Sequence, residues 1–528
     1  MIYILGSGLS AMAAAVALIQ RGCRPVILDA GLRPDAAAET LKARLAAAEP
    51  ENWEADDLVP LKRTGLVASN GIPRKLHFGS DFAFRDAYQV PPLDIRRASM
   101  HRSFAAGGFS NVWGAVIRPL SGRELQDWPI GTRELDPHYA AVRALLCGIS
   151  EVGTADFPSP VRAPTPGLRP SSQAQALYAD LSASRRGLEG EGIRFDYAQL
   201  AVRVADQNGQ KGCRYCGLCL YGCPYDCRYS AASTLQSLIR NGQVGYVSGV
   251  VVDKLSPQKG HVEIEARSLA GGILRKFQGS RVLVAAGLLE TARIILNSLG
   301  LYDTPLNVKH SDIFTLPALR YHTTGNVLHE QLHTLCQLVA VIEDPGICAH
   351  PVHLQFYGYN ELYLQLLERR LGWMAHPLAP ALRAVATRLF VIFGYLHSSV
   401  SSSVKLTLSG DGAAFLHLEG QPNPNAWRIS KAVAYKLFKN RTYFRALPLT
   451  LRPRLDLPGG GYHSGGTFPM HHTPKFLETD RWGCLPSLPG IHLIDASVLP
   501  TVPASPMAFT VMANAHRIAS ECMVPHGR

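Results

Sequence analysis

Three short stretches hold residues whose types and spacing can do chemistry. The first is Gly6-Ser7-Gly8-Leu9-Ser10-Ala11, placed between the apolar run Ile2–Leu5 and an Ala-rich stretch, Met12 to Gln20, with helical spacing. A further apolar run, Pro25 to Leu28, closes on Asp29. Strand, glycine turn, helix and strand in that order predict a βαβ unit with a GxGxxA turn. Gly6 permits the tight turn, Gly8 admits a pyrophosphate against the backbone, and Ala11 keeps helix and strand close. The N–H groups of the helix start, at Leu9 and Ser10, would face the phosphates. Asp29 stands where a carboxylate accepts ribose hydroxyls. The second stretch is Cys213-x-x-Cys216-x-x-Cys219-x-x-x-Cys223-Pro224, with Cys227 four residues on. Its spacing matches the run that ligates iron–sulfur clusters in bacterial ferredoxins, where the fourth Cys serves a second cluster. No second run exists here, so three readings stay open: one iron–sulfur cluster, structural cysteines that are reduced or disulfide-bonded, and zinc. The third stretch is Gly459 to Met470, which carries His463 among glycines, serine and threonine.

The elements that must position these groups follow from periodicity. Arg281 to Ser298 reads as strand, Gly turn and helix, with Ala286 and Gly287 where a backbone approaches a ligand. Val244 to Lys254 and His261 to Arg267 alternate apolar and polar residues as a hairpin does. Alternation over Asp312 to Tyr321 and Leu335 to Glu343, with further strands at Gln355 to Asn360 and Leu396 to Leu408, predicts an antiparallel sheet. Between those strands, Leu362 to Phe393 reads as helices packed on the sheet. Its Arg369, Arg370, Arg383 and Arg388 also suit an acidic lipid interface. Helices are expected near Ala36 to Ala48 and over Leu135 to Ser150, and the Pro-rich residues 153–170 read as a linker. Glycines and small residues from Ala105 to Gly114 let backbone pass close to a flat ring system, with Ser110 and Asn111 as donors.

Composition sets the bounds. The chain has 528 residues, 47% of them hydrophobic, and a formal charge of +12. That is a globular chain with room for two joined domains. The positive charge suits an anionic ligand or a membrane surface. Its basic residues are scattered without aromatic interleaving, which argues against nucleic acid. No uncharged apolar run reaches membrane-spanning length, and a strand beginning at residue 2 predicts a cytoplasmic protein, with peripheral membrane contact as the alternative. Five of the eleven cysteines crowd into fifteen residues, which in a reducing compartment points to metal or redox chemistry.

Gly107-Gly108-x-Ser110-x-x-Trp113 resembles the flavin-contacting segment of glucose–methanol–choline (GMC) oxidoreductases, particularly the pyranose-oxidase branch. In that branch a His before the Trp bonds FAD covalently. Here the residue is Val112, which implies a non-covalent FAD. Gly459 to Met470 resembles the segment bearing the family's active-site His, and Leu493 to Pro500 with Thr510 to Ala519 resembles its last FAD-binding strand and helix. The resemblance implies FAD contacts at Gly6, Gly8, Leu9, Ser10, Ala11, Asp29, Gly107, Gly108, Ser110, Asn111, Trp113, Ala286, Gly287, Asp495, Ala496, Pro506 and Met507. It implies His463 as the base. The family's second catalytic His or Asn falls on Ser505, a weaker group, with His471 and His472 as other candidates.

The implied architecture is α/β plus α+β: a Rossmann-like FAD-binding domain with an antiparallel-sheet substrate domain. Its expected parts are 1–125 and 191–305 (FAD-binding), 126–190 (connecting), 306–454 (substrate) and 455–528 (FAD-binding and catalytic). The implied reaction is hydride transfer from a CH–OH group of an alcohol, sugar or lipid/saccharide intermediate. An electron carrier fed through a cluster on Cys213, Cys216, Cys219 and Cys223 would make it a dehydrogenase rather than an oxidase. The alternative is a flavin and iron–sulfur protein that transfers electrons or binds a ligand without alcohol turnover.

Overall fold

A computed structural model describes the chain apart from residues 65, 68–73, 88–89, 147–166, 208, 411–414 and 523–528. The first strand, Ile2–Leu5, is buried along its length. It pairs in parallel with Val26–Leu28 on one side and Arg281–Val284 on the other. Gly245–Val247 and Ile491–Leu493 extend the sheet to five strands, all parallel. Parallel strands need cover on both faces, and twelve of the seventeen residues of these strands are Val, Ile or Leu. The helix Leu9–Gln20 packs against the C-terminal helix Ala508–Glu521. Ala11, Ala13, Ala14, Ala15 and Ala17 are all buried, because small side chains let the two helices and the sheet lie close.

A second sheet forms the other half of the molecule. Its antiparallel order is Ala446–Pro448, Ile313–Arg320, Leu389–Tyr395, Val352–Tyr357, Leu338–Ile342 and Ile193–Tyr197, with Arg454–Leu455 also pairing the second of these. Successive side chains on a strand point to opposite faces. Phe314, Leu316, Leu354, Phe356, Phe390 and Ile392 therefore share one face, and they form a core with Leu177, Leu181, Ile429 and Leu437 of the helices Ser172–Ala183 and Pro424–Lys439. The alternate residues, among them Thr315, Pro317, Gln355, Tyr357, Val391, Phe393 and Tyr395, are left to face a cavity.

The hairpin expected near 244–267 forms as Val250–Gln258 with His261–Ser268, while Gly245–Val247 joins the parallel sheet instead. Of the strand expected over Leu396 to Leu408, only Ser403–Leu408 forms. Leu389–Tyr395 ends before Leu396, and Ser403–Leu408 lies in a different sheet. Ser401 Oγ bonds the carbonyls of Leu396 and His397, so the serines between the strands turn the chain back on itself. Gln355 to Asn360 also shifts: the strand is Val352–Tyr357, and Asn360 instead caps the helix Glu361–Leu371 by accepting from Leu362 N. The 362–393 stretch contains that helix and Ala379–Ala386, then the strand Leu389–Tyr395. The helix expected at Leu135 to Ser150 runs Thr132–Leu145. Residues 147–150 and most of the expected linker 153–170 lie outside the described residues. No described helix is long and apolar enough to cross a membrane.

Candidate functional site

A cavity of about 940 Å³ lies between the two halves. The carboxyl ends of the parallel strands supply one wall, largely as backbone. Gly6 has φ +92°, and a Cβ there would sit 2.5 Å from Ala285 O. A side chain at this position would force the central strands apart. Gly8 has open space where its Cβ would be, and it precedes the helix without any side-chain cap. The orphan N–H groups of the first turn are thus left for a ligand, the arrangement that binds phosphate. Gly287, φ +82°, gives a second bare approach at the next strand end.

Asp29 is buried at the end of its strand. Its Oδ2 accepts from Ser7 Oγ at 2.6 Å and from Tyr246 OH at 3.1 Å. Burial still raises its carboxyl to about 6, against those two hydrogen bonds. Ser7 also accepts from Gly107 N at 2.9 Å, which ties the 105–114 turn to the first βαβ unit. That turn is a short 3₁₀ helix, Gly108–Asn111. It is set by Gly107 at φ +83°, whose Cβ would meet Ala232 N at 2.6 Å.

Most of the expected contacts line this one cavity: Gly6, Gly8, Leu9, Ser10, Asp29, Gly107, Gly108, Ser110, Trp113, Ala286, Gly287, Asp495, Ala496, Pro506, Met507 and His463. Three of the expected residues do not. Ala11 is packed inside its helix. Asn111 spends its amide on the carbonyls of Ala106 and Gly108, so it holds the turn rather than a ligand. Ser505 is buried behind the wall, donating to Glu124 and accepting from Arg118. This corrects its place as a second catalytic group: its hydroxyl is committed to a carboxylate away from the cavity. His471 and His472 are exposed and outside the cavity. Asp495 acts mainly as a brace, with Gly287 N, Thr291 Oγ1 and Ser497 N all donating to it.

His463 precedes the short strand Ser464–Gly465. Its carbonyl accepts from Ser311 N at 2.9 Å, and its ring stacks on Tyr395 with centroids 4.9 Å apart. The ring opens into the cavity while Nδ1 is buried without a hydrogen-bond partner. Burial first, and His310 second, lower its pKa to about 4, so the imidazole is neutral at pH 7. His310 lies behind it, fully buried, with Nε2 3.2 Å from Asp312 Oδ1 in a contact not aligned as a hydrogen bond.

Several cavity groups carried no sequence signal. Arg102 and Glu290 pair at 3.0 Å, with Arg293 behind the lining holding Glu290 at 2.7 Å, and Gln337, Gln355, Tyr357 and Tyr395 come from ordinary-looking stretches. Ser7 was legible in principle, as the residue between the two glycines.

The cysteines do not form the expected ligand set. Among the described residues no three His, Cys, Asp or Glu side chains are placed to hold a metal ion. Burial pushes the Cys213 thiol up to about 12 and raises those of Cys216 and Cys219. Of these cysteines only Cys223 is held below the usual thiol range, chiefly by its hydrogen bond with the Cys227 thiol. These cysteines pack into the surrounding apolar cores.

No family profile and no curated protein matches the sequence. Solved structures do match the fold, in 611 chains. One is pyridoxine 4-oxidase from Mesorbium loti, with TM-score 0.58, 14% identity and 99% of each chain covered. The parallel five-stranded sheet and the antiparallel sheet that faces it across the cavity therefore share the fold of that solved structure.

Proposed function

We propose that the chain is an FAD-dependent oxidoreductase that oxidises a CH–OH group, with His463 as the base. FAD, when bound, supplies the hydride acceptor. The residues present suit it: bare backbone at Gly6, Gly8 and Gly287, an uncapped helix start, and the Asp29 carboxylate at the strand end. The observation that carries the reading is the neutral ring of His463 in the same cavity as that glycine turn. A neutral imidazole accepts a proton from an alcohol hydroxyl. The alcohol, having lost that proton and a hydride, leaves as a carbonyl compound. Tyr395 fixes the imidazole plane by stacking, and Val391 and Phe393 beside it exclude water.

The test is anaerobic flavin reduction by a panel of alcohols and sugars. Replacing His463→Ala is expected to slow reduction by roughly 10²–10⁴-fold with flavin content unchanged. Reduction at the wild-type rate would overturn the role of His463. Ser505 supports a second reading. Its hydroxyl is engaged by Glu124, so a flavin protein that binds a ligand or passes electrons without turning over an alcohol is the alternative. An unreduced flavin across the whole panel would favour it. The cluster that would feed an electron carrier lacks its ligand set, so oxygen and a carrier stand as rival acceptors. Peroxide formed during turnover identifies oxygen.

A further inference from the structure

We propose that the segment 361–388 docks the protein on an anionic phospholipid bilayer. The segment rises from the rim of the cavity and returns to it. Leu362 and Tyr363 at its start line the cavity, as does Leu389 directly after it. Between them the helices Glu361–Leu371 and Ala379–Ala386 pack on each other through the short turn Gly372–Ala375. The apex of this excursion is apolar and uncovered. Trp373 is 84% exposed, and Met374 and Leu378 are each exposed by more than 40%.

The apolar surface continues along the neighbouring sheet edge. Leu319 pairs with Leu389 on one side and with Leu447 on the other, so Leu447 lies two strand spacings, about 10 Å, from the end of the segment. Leu447, Leu449 and Leu451 are all exposed, and Thr450 and Arg452, which alternate with the last two, line the cavity. A bilayer explains this composition better than a protein face does. Tryptophan beside leucine and methionine suits the headgroup boundary, where the ring has one apolar and one wet side. The charge is complementary as well: the sequence of 361–388 holds four arginines against two glutamates, in a chain of net +12. Exposed Arg383 stands on the second helix of the segment. Since the rim of the docked surface is the rim of the cavity, an alcohol with an apolar body would pass from bilayer to cavity without crossing bulk water. That corollary alone rests on the oxidoreductase reading.

The experiment uses the full-length flavin-bound protein and vesicles of phosphatidylcholine with or without phosphatidylglycerol. Wild-type protein is expected to co-sediment with the anionic vesicles at low ionic strength and to be released in part by high salt. The W373S/L378S double variant is expected to bind roughly tenfold or more weakly, since two apolar side chains no longer enter the lipid. R383E is expected to weaken binding at low salt only. All three positions are exposed, so an unchanged flavin spectrum checks that each variant folds. The proposal fails if wild-type protein stays in the supernatant with anionic vesicles, or if the double variant binds as well as wild type. It also fails if wild-type protein is a dimer that the double variant dissociates, which would make a second copy the cover of this patch. No substrate enters the assay, so failure here leaves the proposed reaction standing, and failure of alcohol oxidation leaves docking standing.

Discussion

The two walls of the cavity are built on opposite principles. The parallel-sheet wall meets its ligand with backbone: Gly6, Gly8, Gly107 and Gly287 are bare where a side chain would either clash or fill the site. The antiparallel wall meets it with side chains, Gln355, Tyr357, Val391, Phe393 and Tyr395, raised from every second position of its strands. A backbone wall demands particular residues at fixed spacing and tolerates almost no change. A side-chain wall demands only alternation, so its chemistry varies without disturbing the sheet. The constant part of the proposed reaction would then sit on the first wall and substrate choice on the second.

The sharpest way to break this comparison is Gly6→Val. The new Cβ lies on Ala285 O in a left-handed backbone. The expected cost is about 3 kcal/mol or more, seen as insoluble or flavin-free protein. Stable, fully flavinated Gly6→Val protein would show that this wall does not work through bare backbone. Across the cavity, Phe393→Ala is expected to keep its flavin and to lose roughly tenfold in kcat/KM for an apolar alcohol. Equal loss of flavin in that variant would merge the two walls into one.

A finer test uses pH, because the walls titrate in opposite senses. Asp29 has a carboxyl raised to about 6, so its charge, and with it acceptance of a ribose hydroxyl, is lost as pH falls through 6. Flavin affinity is expected to drop by roughly tenfold below that pH, measured by fluorescence of released flavin, and Asp29→Asn protein is expected to be weak at every pH. For folding alone the sign is reversed: the folded state binds this proton more tightly than the unfolded chain, so Asp29 favours the folded state as pH falls from 6 toward 4. The histidines act against it. His333 and His463 in the cavity are lowered to about 4 by burial, and His353 behind them well below its usual value. Unfolded histidine takes up protons near 6.5, so their contribution to stability falls as pH drops below 6.5 and continues to fall until about 4. Among the described residues eight histidines are lowered in this way, against the raised carboxyls of Asp29 and Asp495, so the melting temperature is expected to fall by roughly 5 °C or more between about pH 7.5 and about pH 5. A rise in melting temperature over that range would mean that these rings are not buried neutral.

The first wall was legible because its constraint is local. Gly6, Gly8, Ala11 and Asp29 lie within twenty-four residues of chain, and one βαβ unit suffices to explain them. Ser505 shows the limit of reading by position. It occupies the expected place in the chain beside Pro506, yet its hydroxyl turns to Glu124, nearly four hundred residues earlier. The cysteine run misleads for a related reason. Spacing brings thiols near one another along the chain, but whether they converge on one point depends on how the surrounding fold packs them, and among the described residues no three potential ligands converge.

By itself, then, the amino-acid sequence determined the phosphate-type turn, the order of the parallel strands' local units, the alternation of the second sheet and the candidacy of His463. Short-range sterics and periodicity act along the chain and need no partner to be stated. Tertiary structure alone decided that the sheet face bearing Gln355 and Phe393 closes over the glycine wall, that Tyr395 stacks on His463, and that Ser505 and the cysteines are taken up elsewhere. Those outcomes depend on which distant segments meet, and on burial, which sets protonation only once the whole fold has removed water.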